Sequence, residues 1–212
     1  MTKQPITQET RQSLINTTGM TLDVLTLAVE QNFKKKAKLP KNDVLKHNLI
    51  DFAIHLCYIR LDLLTALRLY LSAKKAHEER FTVKNLNVIM IEGYKRIYGY
   101  GRNINESFWI SKIKPICDNL PQHLQAEYKE LTDEIIQIGQ SGVFDKDSRD
   151  YAVHYDPNVT KVYDMLVALD AEIALSNTLV FAKLVEKLQK FTTQILLQWC
   201  VELKSELNKL QQ

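Results

Sequence analysis

Arg149 and His154 stand five residues apart in the stretch Ser148-Arg149-Asp150-Tyr151-Ala152-Val153-His154-Tyr155-Asp156. A guanidinium forks onto phosphate oxygens and stays charged, while an imidazole titrates near neutrality and moves a proton. Together they suit metal-free cleavage of RNA. The imidazole would deprotonate the ribose 2′-OH or protonate the leaving 5′-oxygen, and the guanidinium would stabilise the charge that develops on the phosphorane. One His cannot easily be both acid and base, so two copies of the pair across a dimer would help. In an unbroken helix, five residues rotate through about 500°, roughly 140° past a full turn, so the two side chains would diverge. They converge only if Arg149 sits at a loop–helix junction. The sequence offers one: Asp147 and Ser148 are N-cap types, and Pro157 restricts Asp156 and lacks an N–H donor. The spacing therefore predicts a short irregular turn of helix held between longer helices.

Other groupings carry less chemistry. Gly99 and Gly101 lack the third glycine and the preceding strand of a dinucleotide loop, since position 104 is Ile, so they read as a turn. His47, Asp51 and His55 follow one another at four-residue steps and share a helix face, but no further metal ligand can be named, and they read as a polar helix edge. The Glu-x-x-His pairs of a di-iron bundle are absent. No metal and no cofactor is expected. Lys34, Lys35, Lys36, Lys38 and Lys41 form a basic run that could hold phosphates, as a weak RNA-binding candidate, although charge runs between helices are more often solvated.

The elements that must position these residues are helical. Leu45, Leu49, Phe52, Leu56, Ile59, Leu63, Ala66 and Tyr70 step alternately by four and three, a heptad seam on a helix over about 42–76. Asn42 is its expected N-cap. Phe181, Leu184, Leu188, Phe191, Ile195, Trp199 and Leu203 mark a second long helix over about 177–210, able to pair with the first in either direction. Further helices are expected over about 7–33 (interrupted near Thr18-Gly19), 82–98, 106–118, 122–139 and 159–175, with Lys34–Lys41 as a linker and turns or loops at Gly99–Asn103 and Gly139–Ser148. Sustained alternation with β-branched residues is missing, so the expected fold is all-α, an elongated up-and-down helical bundle in one domain over 1–212.

Composition agrees. Apolar residues make up 45% and charged residues 25%, which excludes a disordered or collagen-like chain. Six Gly and five Pro among 212 residues are too few turn formers for an all-β sandwich or barrel. A net charge of +3 is too mild for a histone-like protein, so any basic site must be a local patch. Cys57, Cys117 and Cys200 are scattered and odd in number, which suggests neither disulfides nor a zinc knuckle and suits a reducing cytoplasm. The first residues, MTKQPITQETRQ, hold no apolar core of a secretory signal, and charges interrupt every apolar stretch, so no membrane association is expected.

The Arg149–His154 segment resembles the R-x(4–6)-H motif of the HEPN superfamily, in which a polar residue usually follows the arginine, and Tyr155-Asp156 is similar to the continuation found in abortive-infection-type members. The likeness covers the motif and the helix pair after it, roughly 140–210. It implies a bundle of four or five helices that often dimerises with two motifs facing one cleft. It also implies a metal-independent endoribonuclease of the toxin or defence-effector kind, with RNA as substrate and an antitoxin or nucleotidyltransferase as a partner. Arg149 and His154 would be the catalytic pair, with Asp150 and Tyr155 supporting it; Asp stands at 150 where Asn is commonest in the family. The alternative reading is a non-catalytic helical module that binds RNA or a protein.

Overall fold

The chain begins its longest apolar seam at Asp43, whose carboxylate caps the helix by accepting from the Lys46 N–H at 3.2 Å. The computed structural model describes residues 7–99, 101–144, 158–168 and 170–210. Within them lie seven α-helices: α1 (Gln8–Lys38), α2 (Val44–Ser72), α3 (Ala76–Ile97), α4 (Lys114–Cys117), α5 (Gln122–Gln140), α6 (Val159–Ala168) and α7 (Ala171–Leu210). A 3-10 helix (Gly101–Glu106) and a π-helix (Trp109–Ile113) connect α3 to α4. No strand occurs among the described residues. The protein is an all-α helical bundle, as the hydrophobic periodicity requires.

The central helix is α2. Leu49, Phe52, Leu56, Ile59, Leu63 and Ala66 of its seam are buried, whereas Leu45 at the N-terminal end is 40% exposed. On α7, Phe181, Leu184, Leu188, Phe191 and Ile195 are completely buried, and the seam leaves the core beyond Trp199, where Leu203 is half exposed. The two helices run antiparallel. Gln189 Nε2 meets Cys57 Sγ at 3.4 Å, and further along, Lys46 Nζ lies 5.9 Å from the Trp199 ring centre. Burying each large aliphatic or aromatic side chain contributes roughly 1.5–3 kcal/mol, and the two seams share the core with α3, the π-helix, α4 and α5. Gly93 lets α3 close on both: a Cβ there would lie 3.1 Å from the Phe181 ring and 3.3 Å from Ile59.

Several element boundaries differ from the sequence reading, each for a local reason. Helix α1 continues without a break past Thr18-Gly19, where the Thr18 hydroxyl donates to the Leu14 carbonyl at 2.6 Å. It also runs through Lys34, Lys35, Lys36 and Lys38, so most of the expected linker is helix. Lysines in a last turn are favoured there, because their charge meets the negative end of the helix dipole. Asp43, rather than Asn42, caps α2. The expected 159–175 helix is two helices, because the Asp170 carboxylate accepts from the N–H groups of Glu172 and Ile173 and so starts α7 afresh. The Gly99–Asn103 turn runs into the 3-10 helix from Gly101, and α5 extends past Gly139 to Gln140.

Candidate functional site

Helix α3 ends where Gly99 adopts a left-handed φ of 81°, a conformation that side chains rarely tolerate, with its N–H donating to the Lys95 carbonyl at 2.8 Å. Past the 3-10 helix, Ser107 ties the turn together by donating from Oγ to the Ile104 carbonyl at 2.6 Å. The chain then widens into the π-helix, a rare form that is frequent at functional sites. Trp109 anchors it. Its ring is completely buried, stacks on Tyr128 at 4.7 Å, and donates from Nε1 to the Thr132 hydroxyl at 2.8 Å. The neighbouring Phe108 also packs on the core, 6.0 Å from the Phe52 ring centre, and lines a recess of about 600 Å³ whose polar lining includes Lys95, Arg96, Glu106, Ser111 and Lys112.

The organising contact of this recess is between α2 and α3. Arg96 donates from Nε to His55 Nε2 at 2.6 Å, its guanidinium carbon lies 5.2 Å from the Phe108 ring centre, and the His55 ring packs on the same phenyl at 5.1 Å. An arginine Nε always carries its hydrogen, so His55 Nε2 must be the acceptor and the imidazole is neutral. Burial holds the His55 pKa below its ordinary value, the Arg96 charge adds to this, and Asp51 opposes it.

The sequence-predicted residues fall in three groups. Arg149, Asp150, His154 and Tyr155 lie outside the described residues, as does the expected junction at Asp147, Ser148 and Pro157. One of the α1 lysines turns away from the others. At about 100° per residue Lys34, Lys35 and Lys38 fall within one arc of about 100°, whereas Lys36 lies outside it and is committed to Asp51 on α2 in an ion pair. Lys34, Lys35 and Lys38 are exposed on the last turns. The helix edge His47–Asp51–His55 is likewise divided: His47 Nε2 meets the Pro40 carbonyl at 3.1 Å, Asp51 holds Lys36, and His55 holds Arg96. No cluster of His, Cys, Asp and Glu suited to a metal occurs among the described residues. No helix among the described residues is long and apolar enough to cross a membrane.

The recess escaped the sequence reading because its parts come from three elements. His55 was visible only as one member of a polar edge, Arg96 as an unremarked cation in the last turn of α3, and Phe108 as an apolar position. The available signal was the glycine turn at Gly99, three residues after Arg96. Comparison with protein-family models, with curated proteins and with solved structures finds no match to this chain.

Proposed function

We propose that the chain is a metal-independent endoribonuclease of HEPN type, a toxin or defence effector that acts as a homodimer on RNA in the cytoplasm. The observation that carries this reading is the Arg149–His154 spacing immediately ahead of two helices, Val159–Ala168 and the long Ala171–Leu210, in an all-α chain. That order of parts is the one the resemblance implies.

In the proposed reaction the ribose 2′-oxygen attacks phosphorus, the bond from phosphorus to the 5′-oxygen breaks, and the products are a 2′,3′-cyclic phosphate and a free 5′-hydroxyl. His154 takes the 2′-OH proton, and the second protomer's copy of the imidazole delivers one to the 5′-oxygen. Arg149 meets the charge growing on the phosphorane oxygens. Asp150 and Tyr155 orient the pair, and an antitoxin or nucleotidyltransferase restrains the activity.

The test is cleavage of labelled RNA by the purified protein in EDTA, with the termini analysed. Wild-type protein should release 2′,3′-cyclic ends, and His154→Ala and Arg149→Ala should each slow cleavage by about 10²-fold or more without moving the thermal midpoint. Full activity in His154→Ala, or no cleavage by the wild type, overturns the proposal. RNA binding by all three proteins without cleavage would assign the non-catalytic alternative instead.

A further inference from the structure

Arginines that serve only to hold a fold usually face a carboxylate, which neutralises them. Arg96 is held differently. Its Nε–H goes to a neutral imidazole at 2.6 Å and its plane lies near a phenyl face, so two contacts fix its position and neither cancels its charge. The Nε is the hydrogen used, which leaves the terminal amino groups; among the described residues these meet no acceptor. Lys95 and Lys112 add positive charge to the same recess against the one carboxylate among its described lining residues, that of Glu106, and Ser111 adds a hydroxyl. Lys95 is partly offset by Glu92, at 3.1 Å, whereas Arg96 and Lys112 are exposed at the rim.

We propose that this recess is an oxyanion site that takes the phosphate group of a phosphoester, with Arg96 as the principal ligand, Lys112 as the second cation and His55 as the residue that positions Arg96 without discharging it. A guanidinium already fixed by Nε loses less freedom on binding than a free one, and its remaining fork fits two phosphate oxygens. The phosphate could belong to a small nucleotide or to a nucleic-acid backbone, and the chemistry of recognition is the same. This assignment does not rest on the ribonuclease reading, which concerns residues 149–155.

The experiment is line broadening of inorganic phosphate by ³¹P NMR with the full-length protein, followed by displacement with adenosine monophosphate and with an octauridylate that lacks terminal phosphates. Wild-type protein should broaden the phosphate signal, and Arg96→Ala should weaken binding at least tenfold, with Lys112→Ala weakening it severalfold. His55→Gln, which keeps a neutral acceptor, should stay within about threefold of wild type. His55→Glu keeps a partner for Arg96 but supplies the neutralising carboxylate, and should abolish binding with the thermal midpoint retained. Lys204→Ala, on the far end of α7, should change nothing. Displacement by the monophosphate alone assigns a small phosphomonoester, and displacement by the octauridylate assigns a backbone phosphate. Absence of binding by the wild type, or binding as tight as the wild type's by Arg96→Ala or His55→Glu, overturns the proposal. Should Arg96→Ala fold poorly, Arg96→Lys, which keeps the charge but not the fork, must still bind more weakly than wild type.

Discussion

His55 of α2 and Arg96 of α3 are 41 residues apart in sequence, and their ring and guanidinium nitrogens meet at 2.6 Å. The contact joins the central helix to its neighbour at the rim of the recess, and it exists only while the imidazole is unprotonated. Both groups also share one phenyl, Phe108, so the pair and the π-helix segment form a single unit.

This dependence gives stability a pH signature. Burial and Arg96 hold the His55 pKa below the ordinary value of about 6.5, against a smaller opposing pull from Asp51. The unfolded chain therefore takes up this proton at a higher pH than the folded one. The stabilisation is complete above the unfolded pKa and is lost as pH falls through the folded value. Thermal midpoints measured from pH 8 to pH 5 should show the wild type losing its advantage over His55→Gln as the solution is acidified. A constant gap between the two proteins across that range would show that the contact does not respond to protonation.

Tyr94 and Gly139 make a second testable pair. The Tyr94 hydroxyl is buried and donates to the Ile135 carbonyl at 3.1 Å, and burial, with Tyr98 nearby, pushes its pKa up to about 12. A Cβ on Gly139 would collide with that hydroxyl and come within 2.8 Å of the ring carbon Cζ. Gly139→Ala should therefore cost about 1–3 kcal/mol in denaturant unfolding, even though alanine is the better helix former. In a Tyr94→Phe background the cost should shrink without vanishing, because Cζ remains. Simple additivity of the two substitutions would mean that the Tyr94 hydroxyl is not the source of the cost.

The reach of the sequence reading follows from which physical signal each feature leaves. The α2 and α7 seams were legible because burial of Leu49 through Ala66 and of Phe181 through Ile195 imposes a strict four-and-three spacing. Their antiparallel sense was not, since one stripe fits a partner running either way. Lys34–Lys38 looked like a linker because charge dominates local composition, but a helix C-terminus favours the same residues. The α6–α7 break rests on one carboxylate, that of Asp170, inside an otherwise continuous apolar pattern. The π-helix leaves no periodic trace: Trp109 and Phe108 are adjacent apolar residues, and nothing in their types shows that Trp109 is completely buried while Phe108 also lines the recess. A motif carried by one short stretch, such as Arg149–His154, can be read from sequence. A pair such as His55 and Arg96, made by two helices, becomes visible only when the helices are docked.

The three thiols order the packing of the bundle from outside inward. Cys200 is exposed on α7. Cys57 and Cys117 are buried, and burial raises both of their pKa values, that of Cys117 to about 12 with Asp118 adding to the effect. The two buried thiols are covered differently. Cys117 belongs to the main core with Trp109, Ile113 and Phe191, whereas Cys57 sits in a small separate cluster with Leu25 and Val29 of α1. Only three residues of α1 are buried, Thr18, Leu25 and Val29, so this helix should open at lower cost than the rest of the bundle, and its opening uncovers Cys57. Labelling with a disulfide reagent at pH 8 should modify Cys200 first, Cys57 later at a rate set by local opening, and Cys117 only on global unfolding. Cys200→Ser should delete the fast phase alone, and Leu25→Ala should accelerate the middle one by about tenfold or more while leaving the slowest less affected. If Cys57 and Cys117 react together at one rate in native conditions, α1 does not open independently and the bundle unfolds as a single cooperative unit.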